Sequence, residues 1–320
     1  MFDAALINLL SPPVLAFALG VLAAAMRSDL TVPEAMMRAL SIYLLLAIGL
    51  KGGVALSGEN VGAVISPVAA ALVLGAIIPA IAYGVLRWVT RLGPVDRGSI
   101  AAHYGSTSLV TFTAALVFLE NAAIAVPGYA ATLLAVLEIP GILIGILLAR
   151  RHLARTAGWG ATLHEVLTGK SVFLLVGGLA IGLIIGPSGY APVAPVFTDG
   201  FRGLLVLFLL ALGLEVGQRL STIRQGGAGL IAFAAVFPLA AGGLGVTTGV
   251  LIGMDAGGAA ILGILCASAS YIAAPAAVRL ALPDANVALS LTASIGITFP
   301  VNLVLGIPVL AAFAQYVTPS

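Results

Sequence analysis

Within Ala101–Phe112, AAHYGSTSLVTF, an otherwise apolar run gathers His103, Tyr104, Gly105, Ser106, Thr107, Ser108 and Thr111. Hydroxyls and freed peptide N–H groups can donate hydrogen bonds to a small anion. The same hydroxyls, with freed carbonyls, can ligate a hard cation such as Na⁺. A second string, CASASYIAAPAA (266–277), holds Ser268, Ala269, Ser270, Tyr271 and Pro275. Pro275 removes a backbone donor and obstructs the carbonyl one turn earlier, and Gly105 weakens a helix. Both stretches are expected to interrupt their helices. Opened backbone is tolerable at membrane depth only where it lines a cavity or is buried in protein, and the new helix N-termini then offer N–H groups to an anion. The candidate substrate set is Gly105, Ser106, Thr107, Ser108, Thr111, Ala269, Ser270 and Tyr271. Taken singly, such Ser, Thr and Gly residues more often serve helix packing.

A carboxylate stands in a third apolar run, LLAVLEIPGIL, where Glu138 lies beside Pro140. A charge at that depth is costly and points to function. The run SIGITFPVNL carries Thr298 and Asn302 around Pro300. With Ser268 and Ser270 they make a candidate sodium set around Glu138. Paired with a buried cation or held protonated, Glu138 would be structural instead. His103 reads first as a hydrogen-bonded packing residue and second as a proton carrier. Tyr271 can hydrogen-bond at the site or fill space. No metal-ligand spacing, phosphate-binding loop, nucleophile elbow or catalytic carboxylate pair occurs, so neither an enzyme nor an ATP-driven step is expected, and no cofactor beyond Na⁺ as coupling ion.

The elements that must position these groups are membrane helices. The 320 residues are 61% hydrophobic and 8% charged, with mean hydropathy +1.18; soluble domains carry about 25% charged residues. A net charge of +2 without a basic cluster gives no case for nucleic acid, and the single Cys266 rules out an internal disulfide. A span needs about 20 apolar residues. Ten candidates follow, near 11–26, 36–56, 66–88, 98–119, 128–149, 170–187, 201–217, 228–252, 257–280 and 286–314. The first reads as a retained span, since no basic n-region or cleavage site precedes it. The expected division is a first repeat (1–150), a short cytoplasmic linker (151–169) and a second repeat (170–320).

All 14 Lys and Arg except Lys51 and Arg202 fall at one set of turns, Arg155, Arg219 and Arg224 among them. That bias assigns those turns to the cytoplasm and both termini to the outside. Lys51 and Glu215 are expected to snorkel to an interface. Asp96 and Asp255 read as helix N-caps. The halves also resemble each other: LAIGLKGG (46–53) matches LALGLEVG (210–217), Pro79 and Asp96 match Pro238 and Asp255, STS (106–108) matches SAS (268–270), and Pro140 matches Pro300. Five spans per half make the second copy enter inverted, an arrangement typical of secondary transporters.

Several stretches together resemble one family: SPPVLAFALGVLAAAM with LTVPEAM, IGLKGGVAL, GSTSLVTF, LEIPGIL, FRGLLVLFLLALGLE and SASYIAAPAAVRLALPDAN. The sequence is similar over nearly its whole length to the sodium-dependent bicarbonate transporters found in cyanobacterial carbon-concentrating systems and in many other bacteria. The resemblance implies an all-α integral membrane fold of ten helices in two inverted five-helix repeats. The fourth and ninth would be discontinuous and crossing, in a core domain that moves elevator-like against a gate domain. It implies a homotrimer in the bacterial inner membrane that takes up bicarbonate with sodium, and in some members a PII-like cytoplasmic regulator. Carried over by position, Gly105, Ser108, Thr111, Ser268 and Ser270 fall in the substrate and ion region, and Glu138 matches an acidic position. Two other readings remain beside it: symport of another small carboxylate with Na⁺ or H⁺, and a membrane sensor or scaffold that transports nothing.

Overall fold

The computed structural model describes residues 10–151, 158–223 and 227–318, and among these it contains helices and no strands. Arg155, Arg224 and part of the linker lie outside the described residues. The first half contains α1 (Pro12–Ala25), α2 (Glu34–Leu56), α3 (Val61–Val89), α4 (Pro94–Gly105), α5 (Leu109–Asn121) and α6 (Ala130–Arg150). A short helix, α7 (Trp159–Thr168), occupies most of the described part of the linker. The second half contains α8 (Lys170–Tyr190), α9 (Gly200–Ile223), α10 (Gly227–Leu251), α11 (Ala256–Cys266) and α12 (Ala274–Ala281). It ends in α13 (Val287–Ala293), α14 (Phe299–Val301) and α15 (Ile307–Val317), joined by wide turns at Ser294–Thr298 and Asn302–Gly306.

Eight helical stretches are long and apolar enough to cross a membrane, with α4–α5 and α13–α15 each counting as one. α1 and α11 are apolar but shorter. Thus the helices fall where the apolar runs predict them, but their internal construction differs. The last span is locally over-wide on both sides of Pro300, where a proline cannot donate to the preceding turn. Pro275 sits in the first turn of α12, where a missing N–H costs nothing. It starts the second half-helix and does not kink a continuous one.

Backbones meet closely at two places. Along α2 and α8, a Cβ on Gly49 would lie 2.8 Å from Leu175 O, and one on Gly53 2.8 Å from Leu183 N. Along α9 and α1, side chains at Gly213 and Gly217 would run into the Phe17 carbonyl and Ala24 Cβ. Lipid offers helices no hydrophobic incentive to pair, so such small-residue contacts are what hold them by dispersion. Gly186, with φ of 60°, breaks α8 near its end; a side chain would resist that conformation.

One expectation about charges needs correction. Asp96 is not an N-cap: Gly93 holds that position, and the Asp96 carboxylate instead accepts from Asn286 N at 2.8 Å, tying α4 to the start of α13. Asp255 does cap α11, accepting from Gly258 N at 2.7 Å. Lys51 is exposed, and its Nζ lies 5.4 Å from the centre of the Phe201 ring.

Candidate substrate and ion site

The chain between α4 and α5 is extended at Ser106 and Ser108, and helix resumes only at Leu109. Ser108 caps the new helix, its Oγ accepting from Thr111 N at 3.2 Å. The cause of the break is steric as well as conformational. A Cβ on Gly105 would lie 2.6 Å from Pro79 of α3 and 2.8 Å from Gly141 Cα of α6. The glycine is needed for that approach, and within the polar tripeptide after it Thr107 Oγ1 donates to Leu134 O at 3.3 Å. The second break runs from Ala267 to Ala273, between α11 and α12, and Ser270 Oγ accepts from Ala274 N at 3.3 Å.

The two breaks are bonded to each other. Ser108 N donates to Ser268 Oγ at 2.9 Å, while Ser268 Oγ donates onward to Leu265 O at 2.7 Å. In the reverse sense, Ser270 N donates to His103 O at 2.7 Å. Ser106, Thr107, Ser108, Thr111, Ser268, Ala269 and Ser270 are all buried. The structure therefore brings both predicted polar strings to one place.

Glu138, 5% exposed on α6, faces that place. Together with Thr107, Ser108, Ser171 and Tyr271 it surrounds a cavity of about 10 Å³, room for about one water-sized particle. Ser171, at the start of α8, lines the same cavity as the Glu138 carboxylate. Five oxygen-bearing side chains around one such space suit a dehydrated monovalent cation better than a polyatomic anion. Ser171 was not among the sequence candidates, because the only sequence signal is a hydroxyl beside Lys170 at a span's start.

Thr298 and Asn302 form a separate group. Thr298 Oγ1 donates to Ala234 O at 2.7 Å, so Tyr104, 2.6 Å away, must donate to Thr298. Asn302 Nδ2 donates to Ala267 O at 2.6 Å. Among the described residues, no hydrogen bond or shared cavity links these two residues to Glu138. Ser268 is bonded to Ser108, which lines the Glu138 cavity, and Asn302 reaches the second break at Ala267.

Several buried polar atoms here have no hydrogen-bond partner among the described residues: His103 Nε2, Ser106 Oγ and Asn302 Oδ1. His103 Nδ1 is 2.8 Å from Ser99 O and so carries the proton, leaving Nε2 as an acceptor. Leaving such groups unpaired costs about 1–3 kcal/mol each, and their concentration at the breaks marks the region as one that binds solvent or cargo.

Cavities approach the breaks from two sides. One, of about 240 Å³, shares Ser171 and Ile272 with the small cavity and extends to Glu165 and Lys170. Another, of about 520 Å³, runs between α2 and the α5–α6 turn and reaches Phe112 in the first turn of α5.

The chain belongs to the Na⁺-dependent bicarbonate transporter superfamily, whose family model matches residues 12–315. No curated protein matches it. It is thus a multi-pass membrane protein of a transporter family, as the sequence resemblance led us to expect.

Proposed function

We propose that this protein takes up bicarbonate together with Na⁺ by alternating access, and that it is built as ten spans in two inverted five-span repeats. The observation that carries the reading is the reciprocal bonding of the two helix breaks, Ser108 N to Ser268 Oγ and Ser270 N to His103 O. In the repeat, α4–α5 corresponds to α11–α12. The glycine contacts support the same correspondence: Gly49 and Gly53 on α2 pack against α8, and Gly213 and Gly217, each 164 residues on, pack α9 against α1. Inverted repeats give two exchangeable conformations of one site.

Bicarbonate is a small planar monoanion with little apolar surface. In this reading it is held by the N-termini of α5 and α12, by the hydroxyls of Ser106, Thr107, Ser108, Thr111 and Ser270, and by backbone near Gly105, Ala269 and Tyr271. Na⁺ sits against Glu138 and the hydroxyls around it, with Ser268, Ser270, Thr298 and Asn302 as a second group of oxygens. Binding the cation beside the anion lowers the cost of dehydrating both, which couples their movement. Helices α3–α6 and α10–α15 form the moving core, and α1, α2, α8 and α9 the gate. The cation-rich turns face the cytoplasm of the bacterial inner membrane, and both termini lie outside. The homotrimer and the PII-like regulator rest on the family resemblance alone. Purified protein in liposomes should accumulate labelled bicarbonate only under an inward Na⁺ gradient; accumulation driven equally well by a proton gradient would replace Na⁺ as the coupling ion.

A further inference from the structure

The only two basic residues away from the cation-rich turns are Lys51 and Arg202; Lys51 lines the 520 Å³ cavity, and Arg202 pairs with Glu120, another of its lining residues. Lys51 and Glu120 line it, and Phe112 is part of its wall near the helix break. Arg202 is already engaged, its Nη2 lying 2.6 Å from Glu120 Oε1. Lys51 forms no ion pair among the described residues. Its ammonium is held over the Phe201 ring, a contact that fixes a cation without neutralising it. Asp199 completes the charged surroundings of Lys51, beside Glu120 and Arg202.

A cation with no direct ion-pair partner among the described residues, lining an otherwise apolar cavity, presents its field to that space. Phe112, which shares the cavity wall with Lys51, follows Thr111 directly and lies one turn from Ser108. We infer that Lys51 is a capture station for a small monovalent oxyanion, the first position such an ion occupies before it reaches the break. Glu120 is held by Arg202 and forms no direct ion pair with Lys51. The inference rests on the anion-uptake reading and adds to it a site remote from the helix breaks.

The test is initial bicarbonate uptake by reconstituted full-length protein at saturating Na⁺, at low and at physiological ionic strength. Lys51→Met should raise the KM for bicarbonate about fivefold at low ionic strength and leave the maximal rate at the wild-type level. The difference should shrink as the Debye length falls from about 30 Å to about 8 Å. Lys51→Arg should keep the wild-type KM, and Glu120→Gln, which releases Arg202, should lower it. If wild type transports normally while Lys51→Met has an unchanged KM, or if Lys51→Arg behaves like Lys51→Met, the capture station is overturned alone. A wild-type protein that takes up no bicarbonate overturns the uptake reading and this inference with it.

Discussion

Replacing Glu138 by glutamine changes one oxygen to an amide nitrogen and removes a charge while keeping size and shape. The side chain keeps its place with Ser171 beside the 10 Å³ cavity, so packing of α6 is preserved. What is lost is the attraction between a carboxylate and a cation. At an effective dielectric of about 20, unit charges about 4 Å apart attract by about 4 kcal/mol. The amide oxygen still offers a dipole, and the neutral side chain costs less to bury. Roughly half the attraction is then expected to survive as net loss, about 2 kcal/mol, or about 30-fold in Na⁺ affinity. The assay is initial uptake against Na⁺ concentration at fixed bicarbonate, normalised to reconstituted protein. Glu138→Gln should shift the half-saturating Na⁺ by about that factor, and Glu138→Asp, which keeps the charge, by much less. A Glu138→Gln protein with the wild-type Na⁺ curve would refute the reasoning and leave Glu138 a structural residue.

Ser108→Ala and Ser270→Ala should each raise the KM for bicarbonate about tenfold or more, since a hydrogen bond to a charged group contributes about 1.5–3 kcal/mol. Ser41→Ala, which removes only a bond to the Met37 carbonyl within α2, should leave the KM unchanged in the same assay. Gly53→Leu should separate α2 from α8, because even a Cβ there overlaps the Leu179 carbonyl; the expected readout is loss of folded protein in detergent, against a normal yield for Gly203→Leu, where nothing lies within 4 Å. Cysteine introduced at Ser188 should react with an impermeant thiol reagent from outside the cell, with native Cys266 silent because it is buried; reaction only from inside would reverse the orientation.

The breaks were legible because a lipid-facing helix has no use for a string of hydroxyls and glycine, so Gly105–Ser108 and Ser268–Ser270 stood out from their surroundings. Glu138 was legible for the same reason. Its neighbour Ser171 was not, because apolar periodicity reports which segments span and says nothing of which spans touch. The grouping of the sodium candidates was likewise hidden: Thr298 and Asn302 bond to Ala234 and Ala267, contacts made by the packing of α10, α11 and the last span. Asp96 was misread because a carboxylate before a span resembles a cap, and only the structure places Gly93 ahead of it. The helix α7 escaped notice in a linker whose basic, glycine-containing sequence reads as loop. The contact of Lys51 with Phe201 was not legible, because the ring lies 150 positions away in the sequence.

The central claim is coupled uptake of bicarbonate through the site at the paired breaks. It is tested most directly in proteoliposomes holding wild-type protein or the Ser108→Ala, Ser270→Ala double variant, with labelled bicarbonate outside and Na⁺ either outside only or equal on both sides. The account predicts accumulation above equilibrium for wild type under the Na⁺ gradient, none without it, and a strongly weakened response in the double variant at low bicarbonate. Uptake that ignores the gradient, or a double variant indistinguishable from wild type, would contradict it.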